Sequence, residues 1–377
     1  ITGSFSLTRR QIQGIDVFAI KSPQTYHHQP GLLSRTGELL AVHSSDVAII
    51  TSPKAWRAVN PQLETSLEAA GIRWQVNFLT TECTDAAIET HLNSVREQNA
   101  TLVLGIGGGR VLDCAKAVAN LLSHVGLVTI PTVAATCAAW SPVSIIYNEL
   151  GGHVRSQPLS RMPLMLLVDT NVIAQNDVRY LKAGIVDALA KWYEFRPYKQ
   201  KSDDSLALNL KVQAAKLAVD VFEQYGAQAV QDNARHEVTP ALMKVIDANI
   251  AVAGMANSMR DETPAPGVAH AIHNRFTHQP ELHDWLHGEK VGFGLLVQSL
   301  LESDDGQPEV QLLSLLREYD APLSLPPLNG DREAIIAAIA REVKFSAENA
   351  ARLPFSIAAE NIEKALRKTE THYYSQG

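Results

Sequence analysis

Five of the chain's thirteen histidines fall between His270 and His287, in the run G-V-A-H-A-I-H-N-R-F-T-H-Q-P-E-L-H-D-W-L-H-G. Neutral imidazole is the commonest metal ligand in proteins, so this density points to metal chemistry. His270 and His273 stand at i, i+3 and share one face if the segment is helical. His287 opens what reads as the next helix, with Gly288 behind it. The plainer reading is a solvated group of histidines with no common ligand, which the remaining sequence must decide.

A second chemical signal lies at Thr101-Leu-Val-Leu-Gly-Ile-Gly-Gly-Gly-Arg-Val-Leu-Asp-Cys-Ala-Lys116, which runs from a buried strand through Gly107, Gly108 and Gly109 into a helix. Glycines at such a junction let the backbone approach a pyrophosphate, and the helix N-terminus supplies free N–H groups and positive potential. The spacing matches neither G-x-G-x-x-G nor a Walker loop. A tight turn needing positive φ is the structural alternative. The next strand ends in Ile130-Pro-Thr-Val-Ala-Ala-Thr136, which puts the hydroxyls of Thr132 and Thr136 on the same carboxyl edge. Open α/β sheets bind ligands at that edge.

The elements that must position these groups follow from the patterning. At 377 residues two domains are expected. Strand-like runs Val47–Ile50, Trp74–Phe78, Leu102–Ile106, Leu127–Ile130 and Leu164–Val168 alternate with helix-like segments near Trp56–Ala70, Asp85–Gln98 and Val111–Leu122. Thr84 or Asp85 is a plausible N-cap, and Val143–Tyr147, Asn148–Gly152 and a polar return suggest a hairpin. Beyond residue 172 the text turns helical: Leu206–Tyr225, Pro240–Met259, Val291–Leu301, Val310–Tyr319, Arg332–Val343 and Ala358–Tyr373 carry apolar residues at helical spacing. The expectation is an α/β dinucleotide-binding domain over 1–172 and an all-helical metal and substrate domain over 173–377.

Bulk composition narrows the function classes. The net charge of −7, without a basic run, argues against nucleic acid. Cys83, Cys114 and Cys137 form neither a disulfide framework nor a Cys-x-x-Cys site, which fits a reducing compartment. No apolar run suits a membrane span and no signal peptide is visible, so the expected location is cytoplasmic. The expected partner is a small-molecule substrate, with a homo-oligomer left open.

Four ordered blocks, Gly105–Lys116, Pro131–Asn148, Gly184–Glu194 (G-I-V-D-A-L-A-K-W-Y-E) and His270–Val291, together resemble the glycerol dehydrogenase branch of the metal-dependent, iron-containing type alcohol dehydrogenases. The resemblance spans nearly the whole chain. It implies a dehydroquinate synthase-like architecture with a metal between the two domains. By position it implies the ligands Asp187, His270 and His287, with His273 beside them to line the pocket or relay protons. Within the first block it places Asp113 with Gly107–Gly109 on the cofactor side. One carboxylate and two imidazoles suit catalytic Zn²⁺, favoured here over Fe²⁺, with an open position for substrate. Taken singly, Asp187 reads equally as a helix-surface acid, and His278 and His283 as exposed loop residues.

The departures shape the substrate reading. Iron-dependent members usually carry a further His where this chain has Lys191, which favours a three-ligand site. Lys191 falls four residues after Asp187, so its ammonium either meets a substrate carboxylate or pairs with Glu194. Glycerol dehydrogenases commonly carry an Asp where this chain has Cys137, inside Thr136-Cys-Ala-Ala-Trp140. That block is similar to the hydroxycarboxylate dehydrogenase A subgroup, which implies reduction of 2-oxo acids. Cys137 joins His273 and Lys191 as a catalytic candidate. Arg110 and Arg275 replace the more usual Lys and Gly. After Val47–Ile50 the chain reads Thr51-Ser52-Pro53-Lys54, with no acid to repel a 2′-phosphate. Ser52 and Lys54 therefore predict NADP(H) over NAD(H), unless Lys54 is only a solvated loop residue. The alternatives are a glycerol or 1,2-diol dehydrogenase, a dehydroquinate synthase-like lyase, and a binding protein without turnover.

Overall fold

A computed structural model describes residues 18–201, 203–261 and 264–371. Its strands are β1 (Phe18–Ile20), β2 (Thr25–Gln29), β3 (Asp46–Thr51), β4 (Arg73–Phe78), β5 (Leu102–Gly107), β6 (Gly126–Pro131), β7 (Val143–Tyr147), β8 (His153–Pro158), β9 (Met165–Asp169) and β10 (Met259–Asp261). Six form one sheet in the order β2-β9-β6-β5-β3-β4, every pair parallel. Its central strands are apolar on both faces. Val47 and Ile49 enter one hydrophobic cluster, and Ala48 and Ile50 enter the other. Parallel strands buried on both sides read as continuous apolar runs for this reason.

From β3 the chain crosses through helices Pro53–Val59 and Gln62–Ala69, whose Val59, Leu63 and Leu67 pack on the first face. It returns from β4 through Asp85–Glu97, and leaves β5 through Gly109–Asn120, both on the second face. The direction of winding therefore reverses between β3 and β5. Loops leaving strands on either side of such a reversal splay apart, and ligands bind in the crevice they leave. Here those loops are Ser52–Lys54 and Gly107–Gly109. The strand ends are tied together by the Thr51 hydroxyl, which donates to the Ile106 carbonyl at 2.7 Å.

The helical half is built around one large apolar cluster shared by the helices Val178–Gln200, Val268–Phe276 and His287–Glu302, with Leu189, Ile272, Val291 and Leu295 fully buried. The hairpin β7–β8 forms as expected, its turn held by the Asn148 carboxamide oxygen, which accepts from the N–H groups of Leu150 and Gly152. Thr84 caps the Asp85–Glu97 helix by accepting from the Ala87 N–H.

Several expectations shift. The segment Trp56–Ala70 is two helices rather than one, because Pro61 drives Asn60 into an extended conformation (φ −112°, ψ 152°). Helix Leu206–Val221 continues through a π-turn at Phe222–Gly226 into Ala227–Ala234. The helical half also contains β10, which pairs antiparallel with β1 and so ties residues 18–20 to the second half. Strand β2 escapes the patterning because its T-Y-H-H-Q sequence is polar, as suits an edge strand paired on one side only. The C-terminal helix is described over Ala359–Thr371; Tyr373 and the chain's first seventeen residues lie outside the described residues. Among the described residues no helix is long and apolar enough to cross a membrane.

Candidate metal centre and cofactor edge

The Val178–Gln200 helix presents Asp187, Lys191 and Glu194 at i, i+4 and i+7, along one face. Two other helices bring imidazoles to it. His287 is the first residue of His287–Glu302, and the next residue must be small: a Cβ on Gly288 would collide with the Ala183 carbonyl. His287 Nε2 lies 3.0 Å from Asp187 Oδ1, and His270 Nε2 lies 3.4 Å from the same oxygen. One ligand atom from each residue falls within 4.8 Å of the others. Atoms held about 2 Å from one ion can be no more than about 4 Å apart, so small side-chain adjustments close the set around a single cation. Asp187 is 4% exposed. Burial works against its charge, but His287, Lys191 and the hydrogen bonds from His270 and His287 hold its pKa well below the usual carboxylate range.

Glu194, which sequence reasoning offered only as a partner for Lys191, fixes the second imidazole. Its Oε1 accepts from His270 Nδ1 at 2.7 Å and its Oε2 accepts from the His270 backbone N–H at 2.9 Å. The Nδ1 proton is thereby committed and Nε2 is turned towards Asp187. Carboxylates behind ligating histidines do this in metal sites generally. Gly267 makes the approach possible, since a Cβ there would overlap the Glu194 carboxylate. Burial opposes charge on His270, yet Glu194 and Asp187 outweigh it and raise its pKa to about 10. The signal was in the sequence, two turns beyond Asp187, but a lone acid at i+7 looks like helix surface.

The remaining histidines separate. His273 is buried, with its ring 4.2 Å from that of His287 and its Nδ1 3.0 Å from Asn274 Oδ1. Burial, together with the nearby His287 and His270, pushes its pKa well below the usual imidazole value, so it stands neutral beside the cluster. His278 and His283 are exposed and away from the ligand set, His278 bonding the His153 carbonyl through Nε2. Cys137 is buried, and its sulfur receives the Asn257 amide at 3.4 Å. Arg110 pairs with Glu82, and Arg275 with Glu342.

At the sheet edge Gly107 adopts φ +153°, where an added Cβ would press on Val111, and Gly108 precedes the helix without any side-chain cap. The Gly109–Asn120 helix thus begins with its N–H groups uncapped by side chains, as an anion site requires. Thr136 Oγ1 stands beside Gly109, 3.6 Å from where a Cβ would lie, and accepts from the Ala138 N–H. Thr132 is buried, its N–H bonded to the Gly107 carbonyl. Other cofactor candidates have further duties. Ser52 caps the Pro53–Val59 helix, and Lys54, in that helix's first turn rather than a loop, is exposed with its ammonium 5.5 Å from the Tyr180 ring centre. Asp113 is buried and ion-paired with Lys116 at 3.2 Å instead of standing free on the cofactor side. It lies close enough to His287 to feel its charge.

Comparison with known proteins identifies the family. The profile of the iron-containing alcohol dehydrogenases matches residues 23–170. Hydroxycarboxylate dehydrogenase A of Escherichia coli K12 is 30% identical over 93% of this chain and 97% of its own length. A glycerol dehydrogenase of Pseudomonas putida is 30% identical over 92% and 96%. The crystal structure of glycerol dehydrogenase from Schizosaccharomyces pombe superposes with a TM-score of 0.82, at 25% identity, covering 96% of this chain and 92% of that one. The chain belongs to the iron-containing alcohol dehydrogenase family and is an oxidoreductase of the glycerol dehydrogenase-like type.

Proposed function

We propose that this oxidoreductase moves a hydride between NADP(H), in preference to NAD(H), and a small carbonyl compound, a 2-oxo acid or ketone, with one divalent ion, Zn²⁺ over Fe²⁺, held by Asp187, His270 and His287. The observation that carries the reading is the convergence of those three ligand atoms within 4.8 Å. Two imidazoles and a carboxylate leave a coordination position for substrate. When bound, the ion supplies Lewis acidity to the carbonyl, and the nicotinamide supplies the hydride.

The chain's own residues do the rest. Glu194 keeps His270 in the Nε2-ligating orientation. Gly107–Gly109 and the uncapped helix behind them receive the pyrophosphate, and the Thr136 hydroxyl stands at their mouth. His273, neutral and beside His287, is placed to pass a proton from water to the product oxygen. Ser52 and Lys54 offer no carboxylate at the end of β3, which leaves room for a 2′-phosphate. Free cysteines at 83, 114 and 137 suit a reducing, cytoplasmic setting.

A glycerol or 1,2-diol dehydrogenase is the second reading, supported by the relatives of that name. The test is chelator-stripped protein reloaded with Zn²⁺ or Fe²⁺ and assayed on 2-oxo acids, 2-hydroxy acids, ketones and diols with both cofactors. Metal-dependent, stoichiometric oxidation of NADPH by a 2-oxo acid or ketone is the expected outcome. A tenfold or greater preference for NADH in kcat/KM overturns the cofactor choice. Turnover without net change in cofactor would favour a dehydroquinate synthase-like lyase.

A further inference from the structure

Lys191 lies on the metal-ligand face of its helix and is 5% exposed, yet it has neither a hydrogen bond nor an ion pair with any described residue. The obvious partner is engaged elsewhere, since both Glu194 oxygens bond His270. Burial works against the lysine's charge, but Cys137, Asp187 and Glu194 outweigh it, so the ammonium form is favoured. Helical side chains lean towards the N-terminus, over the preceding turn. For Lys191 that turn carries Asp187, whose own ionisation is helped by the Lys191 charge. The ammonium nitrogen is not among the described buried atoms that lack a partner, so it is open to solvent and to an incoming anion, with which it can form a charge-assisted hydrogen bond.

Resting on the proposed metal-dependent reduction, we infer that Lys191 forms a carboxylate subsite beside the metal centre, which selects 2-oxo acids over uncharged ketones and diols. The formal charges favour a monoanion. Asp187 and Glu194 together cancel a divalent ion, and Lys191 leaves one positive charge that a substrate carboxylate neutralises. A 2-oxo acid carries its carboxylate on the carbon next to its carbonyl, which matches a cation one helical turn from the ligand that positions the carbonyl. A neutral diol would leave the ammonium without a counter-charge.

The test compares the zinc-loaded parent with Lys191→Met and Lys191→Arg on 2-oxobutanoate and on 1-hydroxy-2-butanone, an uncharged ketone of the same chain length. Oxamate binding by calorimetry supplies a readout independent of turnover. Lys191→Met is expected to lose about tenfold or more in kcat/KM on the acid relative to the ketone, and to weaken oxamate by about the same factor. Lys191→Arg should recover part of both. Equal losses on the two substrates, or unchanged oxamate affinity in Lys191→Met, overturn the subsite. A parent that binds oxamate through Lys191 yet reduces neither compound would keep the subsite and defeat the proposed reaction.

Discussion

Two buried lysines, on helices of the two halves, show what burial alone does and does not mean. Lys116, a fully buried residue of the glycine-loop helix, donates to the carbonyls of Ala138 and Ser141 and to the Ser141 hydroxyl, and pairs with Asp113. Every proton of that ammonium is accounted for within the fold. Its work is to clamp the Thr136–Ser141 loop against the helix. Lys191 is almost as buried and has no partner of this kind. The first arrangement is complete as it stands and the second needs a ligand to complete it. Function is signalled here by a cation without a protein partner beside the candidate metal ligands.

If that contrast is right, substitutions around Lys191 should damage chemistry while those around Lys116 damage the fold. The largest effect is expected for His270→Ala, which should abolish metal retention and nearly all turnover with cofactor affinity mostly intact, read by metal content and NADPH fluorescence titration. Retained metal would break the contrast at its strongest point. Next comes Lys116→Met, which strands the Asp113 carboxylate in the core and should cost about 3–5 kcal/mol of stability. Denaturant unfolding measures it, and a change below about 1 kcal/mol would show that the clamp is dispensable.

Glu194→Gln should weaken zinc binding roughly 10- to 100-fold with little change in unfolding midpoint, as loss of a residue behind a ligand does. Chelator competition reads this; an unchanged affinity would make Glu194 a purely structural acid. An effect of comparable size is expected from pH. In the metal-free chain His270 holds its proton up to about pH 10, because Glu194 and Asp187 favour the imidazolium. An incoming ion must displace that proton, so lowering the pH weakens metal binding, by about tenfold per unit between pH 7 and 9. Calorimetry in buffers of different ionisation enthalpy should show about one proton released per ion. The sign reverses for stability: what the protonated His270 adds to the metal-free fold is complete below its ordinary value near 6.5 and is lost as pH rises through about 10.

The sheet and the convergence of Asp187, His270 and His287 were legible because their signals are dense. Runs such as Leu102–Ile106 are apolar on both faces, and five histidines in one stretch need an explanation. Lys191 was legible as to place, through its i+4 spacing from Asp187, but its lack of a partner was not. That depends on where Glu194 points, which in turn depends on Gly267 in a segment more than seventy residues away. The polar strand β2 hid because edge strands need no apolar alternation. The position of Asp113 beside the glycines suggested the cofactor, and its ion pair with Lys116 was not legible from the sequence.

The most direct test of the metal centre is a zinc titration of chelator-stripped protein, with turnover of NADPH followed at each addition, on the parent and on Asp187→Asn. Expected for the parent is one ion bound per chain with activity returning in proportion, and for Asp187→Asn neither tight binding nor recovery. Full activity in the stripped parent, or zinc affinity in Asp187→Asn equal to the parent's, would contradict a catalytic ion held by Asp187, His270 and His287.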